Sequence, residues 1–178
     1  MKEVLLVSAA TIRATTNIHD NVSDKYLLPA IREAQEIHLR GYLGYVLLEK
    51  LKSLVENGEI ESQPKYKELL EWCRYFLTYS AIVELLMKVG YKVANMGVVR
   101  TSDENVENIS SSEMVLVKSE YQSKADYYAK QLQKYLCDQY SQFPELSEEK
   151  YNQLRANLRS AATSGLWLGG VIGKNRAV

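Results

Sequence analysis

The sequence predicts a mainly α-helical protein, a bundle of four to five helices with a short extended β-ribbon segment and a glycine-rich C-terminal arm. Three observations carry that expectation. Apolar residues recur at spacings of three and four over most of the chain. The stretch from Tyr66 to Val89 is apolar almost all round. Strand character is confined to the neighbourhood of Val93 to Arg100.

Residues 1–22 read as an N-terminal arm, and a helical domain is expected over 23–162. From Ser23 the chain turns helical, with Leu27, Ile31, Ala34 and His38 on one face and Ser23 or Asp24 as the cap. Pro29 lies too deep for a first-turn proline, so the helix should kink at Leu28 or begin again at Pro29. Gly41 and Gly44 then punctuate the sequence. A second helix carries Leu43, Leu47, Leu51 and Leu54 on one side and Glu49, Lys50, Lys52 and Glu56 on the other, and Asn57-Gly58 offers it a left-handed cap. These two helices are expected to form a hairpin.

After a polar linker with Pro64, the apolar stretch from Tyr66 to Val89 includes Leu69, Trp72, Cys73, Phe76, Leu77 and Leu85. A helix lacking a polar face must be surrounded by others, which makes this one central. Gly90 ends it. An extended insertion near 92–112 follows, with Val93, Val98 and Val99 suggesting a small ribbon that turns near Asn95 to Gly97. Ser110 with Glu113 makes a capping-box pattern, and the helix it opens keeps Tyr121, Ala125, Tyr128, Leu132 and Tyr135 in register until Pro144 stops it. Another helix starts near Ser147 and carries Tyr151, Leu154 and Leu158. Residues 163–178 are the glycine-rich arm.

At 178 residues the chain can bury a real core without staples. Cys73 and Cys137 have neither zinc nor redox-pair spacing and read as core thiols of a reducing compartment. The apolar run Val4 to Val7 is too short for a signal peptide, and the longest apolar stretch, Tyr75 to Met87, contains Glu84 and falls short of a bilayer span, so no membrane partner is expected. Lys plus Arg equals Asp plus Glu at 22 each, which removes the basic excess of a free-standing nucleic-acid binder. Thirteen tyrosines stand against two phenylalanines. A tyrosine hydroxyl must stay paired or wet, so these rings suit either contact surfaces or the rim of the protein's own core.

Catalytic chemistry finds little support. Gly173-Lys174 departs from a phosphate-binding loop, since Leu168 stands where that motif needs glycine and Asn175 where it needs Ser or Thr. His19 and His38 lack a second metal ligand at helical spacing. A Cys73–His38 pair is conceivable, but apolar neighbours would raise the thiol pKa and leave it unreactive. The pairs Glu33/Glu36, Glu68/Glu71 and Glu148/Glu149 read as solvated faces. Glu84, the acid inside the most apolar helix, needs a partner, either Lys88 four residues on or a group from another helix. No set of nucleophile, base and oxyanion donors emerges. The sequence therefore predicts no catalytic residue, no metal site and no cofactor.

The order of features carries more information than any one residue. A helix with Pro29, Ile31 and Ala34-Gln35 is followed by Leu43-Gly44 opening a second, then by a long aromatic-rich helix, an extended segment ending Gly97-Val98-Val99, and a long helix with Ala125, Tyr128, Tyr135 and Leu136. Over roughly Val22 to Leu136 this order resembles the head-to-tail connector family of tailed phages, most of all the versions in phages of Bacteroidetes, the crAss-like group among them. The resemblance implies a virion protein of the neck: a homo-oligomeric ring adaptor, generally of about twelve copies, docked under the portal and offering a platform to the next tail or neck protein. DNA would pass through its lumen without sequence-specific binding. The resemblance carries over no catalytic residue. A cytosolic helical partner-binding or regulatory protein is the alternative that the composition also fits.

Two segments are the expected assembly interface. Val98, Val99 and Arg100 lie in the only convincing strand, and a lone ribbon is a natural site for strand addition. Leu166, Trp167, Leu168, Val171 and Ile172 crowd the glycine-rich arm, which is expected to dock on the portal, on a sister subunit or on its own domain.

Overall fold

The structure, a computed structural model, describes residues 3–18, 22–94, 97–100 and 111–163, the side chains of 89–100, 111 and 160–163 excepted. The described elements run α1 (Ala9–Thr15), α2 (Asp24–Glu33), α3 (Arg40–Glu56), α4 (Pro64–Gly90), β1 (Tyr91–Ala94), β2 (Gly97–Arg100), α5 (Ser111–Asp138) and α6 (Glu148–Thr163). The protein is mainly helical. Helix α4 is the axis, with α2 along one side and α5 along another, and α6 closes on α5 and α3. That surround is tightest over residues 76–83, all buried except half-buried Tyr79. The first half of α4 keeps Lys67, Glu68, Glu71 and Arg74 on an exposed polar face, so the expectation of a helix enclosed all round holds only for its later part. Leu69, Cys73, Leu77 and Ala81 are fully buried among Leu27, Ile31, Leu47, Leu51, Leu132 and Leu136 from the neighbouring helices.

Local chemistry sets most of the boundaries. The Ser23 hydroxyl accepts from the Lys25 N–H and caps α2. Gly58 adopts the left-handed conformation past the end of α3, at φ 71°. Ser147 accepts from the Lys150 N–H and starts α6. Ser110, the expected cap of α5, lies outside the described residues.

Three further expectations need correction. Helix α2 runs unbroken through Pro29; the carbonyl that loses its donor belongs to Lys25, which is exposed, so water can take the donor's place. The first two helices do not form a hairpin. Instead α2 passes into a π-helical turn over Ala34–Leu39 and on into α3, the bend falling at Gly44, whose φ of 72° and ψ of 175° interrupt the helix, and α2 packs along α4 rather than against α3. Finally, residues 3–18 are not an arm apart from the domain. Leu6, Val7 and Ile12 are buried in the common core.

A buried glutamine explains how that N-terminal strap is held. Gln35 accepts from the Leu6 N–H at 2.9 Å through Oε1 and donates to the Val4 carbonyl at 3.0 Å through Nε2. Its side-chain amide thereby satisfies one donor and one acceptor of the strap's backbone. Arg74 Nε donates to the Leu6 carbonyl at 2.9 Å, and Arg32 pairs with Glu3.

The tyrosines form a seam between α4 and α5. Tyr128 stacks between Tyr75 and Tyr79, one turn apart on α4, with ring centroids 5.4 and 5.3 Å away. Trp72 continues the run to Tyr135, and Phe143, buried just before Pro144, joins Tyr135 to Tyr66. Hydroxyls at the seam's edge find carboxylates. Tyr66 donates to Glu145 at 2.8 Å, and burial together with that acid pushes its pKa up to about 12; burial and Glu68 likewise push Tyr135 up. Rimming the protein's own core accounts for this group, while Tyr45 and Tyr127 remain exposed.

Candidate functional site

Two places on the molecule have more exposed chemistry than packing requires. The first is the end of the α4–α5 pair from which the β-hairpin extends. Strands β1 and β2 pair antiparallel, with Val93 opposite Val98, Lys92 opposite Val99 and Tyr91 opposite Arg100. They make a two-stranded sheet, so among the described residues each strand keeps one edge without a third strand. Next to the hairpin, Met87 at the end of α4 and Val115, Leu116 and Val117 in the first turns of α5 are between 37% and 69% exposed. Lys118 reaches across to the Met87 sulfur at 3.3 Å, which places the two helix ends side by side.

Of the residues expected from sequence, Val98, Val99 and Arg100 thus lie in β2 with their backbones paired to β1, their side chains being outside what is described. Leu166, Trp167, Leu168, Val171 and Ile172 all lie outside the described residues. The exposed Val115, Leu116 and Val117 escaped sequence reading. A signal was there: Met114 to Val117 are four apolar residues in a row, more than one helical turn, and such a run cannot all face one core.

The second place is a polar cleft of about 380 Å³ walled by the π-helical turn, the start of α3, the second half of α4, the middle of α5 and the first half of α6. Its floor is the edge-to-face pair Tyr42–Phe76, at 5.3 Å, with Val83 and Leu154. At its rim His38 Nε2 lies 2.7 Å from Glu84 Oε1, the side chains 41% and 24% exposed. Glu84 therefore takes its partner from another segment, and Lys88 instead bonds Glu33 at 2.6 Å. Sequence spacing alone favoured neither pairing. The π-helical turn shifts the phase of the helix just before His38, so the α-periodic face that includes His38 stops being a guide there.

A histidine oriented by a carboxylate is half of a familiar hydrolytic arrangement. The other half is not joined to it. Ser80 lines the same cleft, but among the described residues no hydroxyl or thiol is hydrogen-bonded to His38. Cys73 is fully buried, and burial pushes its thiol far above the usual range. Among the described residues no group of three or more His, Cys, Asp or Glu is placed to hold a metal ion, and no helix is long and apolar enough to cross a membrane. What the His38–Glu84 contact does in this geometry is tie the π-helical turn to α4, while Lys88–Glu33 ties the end of α2 to the same helix.

Comparison with known proteins gives one match. The DUF6712 family, a family of unknown function, matches residues 39–162, and the chain belongs to it. The matched span takes in α3 to α6, and with them the hairpin and most of the cleft, but leaves out α1 and α2. No curated protein matches the chain, and no solved structure does.

Proposed function

We propose that this member of the DUF6712 family is a structural subunit without catalytic activity that assembles with copies of itself into a ring at the neck of a tailed bacteriophage. The ring would join the portal to the next tail or neck protein and let DNA through its lumen. Support for the phage setting is the resemblance in feature order, which includes the mainly helical fold, the short extended segment and the long helix after it.

Support for assembly rests on one observation above the others: the apolar side chains Met87, Val115, Leu116 and Val117 stand exposed beside a hairpin whose outer edges meet no third strand among the described residues. Covering each of them would contribute on the order of 1–2 kcal/mol, and strand addition at the hairpin would give direction to the contact. The glycine-rich arm with Leu166, Trp167, Leu168, Val171 and Ile172 is a second contact element in this reading. A formal net charge of zero suits passage of DNA without tight binding.

The test is the mass of the full chain in solution across a concentration series, beside a Leu116→Asp variant. The assembly reading predicts a larger species for the wild type and its loss in a variant that melts at the same temperature. Identical masses for the two proteins at every concentration would remove the α5 start from the interface.

A further inference from the structure

We propose that the cleft between the π-helical turn and α4, α5 and α6 is a binding site for a small zwitterion of the amino-acid type, its carboxylate held by Lys150 and its ammonium by Asp126. The inference rests on the cleft alone and is independent of the ring assembly.

Among the described residues, the charged groups around the cleft divide into one ion pair and two groups that meet no opposite charge. His38 and Glu84 satisfy each other. Lys150 does not have such a partner. Its ammonium donates to the Gly41 carbonyl at 3.2 Å and to Gln153 Oε1 at 3.0 Å, two neutral oxygens, and it meets no carboxylate among the described residues. Two of its three N–H donors are thereby fixed, and the third is left for a ligand. Asp126 is the mirror case. Its carboxylate accepts from the Gln122 amide at 2.9 Å and meets no cation among the described residues. It lines the same cleft as Tyr42, whose pKa is raised by burial and then by this carboxylate.

An ammonium and a carboxylate that share one cleft without closing on each other present the complement of a molecule carrying both charges. Each already makes hydrogen bonds to side-chain amides or a carbonyl at the mouth of the cleft, which narrows the positions it takes up. The Tyr42–Phe76 pair, Val83 and Leu154 give an apolar side chain somewhere to rest. At about 380 Å³ the cleft is at the lower end of the roughly 300–1,000 Å³ typical of small-molecule sites, which favours a compact ligand.

The test uses the full chain and L-leucine as the probe, followed by titration calorimetry, beside N-acetyl-L-leucine, which lacks the ammonium, and L-leucine amide, which lacks the carboxylate. The proposal predicts saturable binding of L-leucine and at least about tenfold weaker binding of each capped form. It also predicts a crossed pattern in the variants. Lys150→Met should bind the amide as well as the free amino acid, and Asp126→Asn should bind the acetylated form as well as the free one. Circular dichroism and melting establish that each variant is folded, and Lys150→Gln replaces Lys150→Met if the latter is not. No saturable heat with L-leucine up to tens of millimolar, equal binding of free and capped forms, or variants that weaken all three ligands alike would overturn it.

Discussion

Replacing Gln35 by leucine removes the group that receives the N-terminal strap while keeping the side chain's bulk. Both hydrogen bonds to the strap are lost, Leu6 N–H to Oε1 in a buried setting and Nε2 to the Val4 carbonyl in a partly buried one, together with the 3.2 Å bond from Nε2 to Glu36. The first leaves a buried N–H without a partner, a cost of about 1–3 kcal/mol, and the second forfeits about 1 kcal/mol of net hydrogen bonding. The sum is about 2–4 kcal/mol, which for a domain of this size lowers the melting temperature by about 5–15 °C. The Arg74 bond to the Leu6 carbonyl and the burial of Leu6 and Val7 oppose complete release, so the strap should loosen and not simply detach. Thermal melting reads the global effect, and hydrogen exchange at the Leu6 amide reads the local one. A variant that melts within a degree of the wild type and still protects that amide would refute the role given to Gln35.

Other consequences can be checked on the same preparation. Gly44→Ala should lower stability by about 1–2 kcal/mol through backbone strain alone, because an added Cβ meets nothing within 4 Å but φ is 72°; unchanged melting would contradict this. Burial would raise the Glu36 pKa, yet hydrogen bonds from Lys52 and Gln35 outweigh it and hold the pKa below the usual value. A carboxyl with a lowered folded pKa contributes stability above its unfolded pKa and loses it as pH falls through the folded one. Glu36→Gln should therefore melt with a shallower acid dependence below about pH 4.5, and a slope equal to that of the wild type would contradict the assignment. Under native conditions a thiol reagent should modify half-buried Cys137 and leave Cys73 untouched until the protein unfolds. Equal rates at the two cysteines would contradict the buried placement of Cys73.

The helices were legible where burial and periodicity coincide. Leu69, Cys73 and Leu77 identify a core-facing helix because they recur every fourth residue and are joined by Phe76, Ala81 and Leu85, and Gly58 marks an end because only a left-handed residue closes the helix there. Periodicity misleads at Ala34–Leu39, where a wider turn moves His38 to the cleft rim while the residue pattern still reads as α. Nothing short-range could announce that Gln35 serves residues 29 and 31 positions away, since a buried side-chain amide looks like any polar residue in a helix. The same holds for the cleft. Lys150 and Asp126 come from different helices, and their shared setting arises only when α5 and α6 close on the bundle.

The proposed ring at a phage neck is tested most directly on tailed-phage particles purified from cultures in which this chain is made, by electron microscopy with an antibody fragment raised against the protein. The account predicts the protein in the particles at a fixed copy number, with the label at the junction of head and tail. Its absence from purified particles, or a label anywhere else on them, would contradict the account.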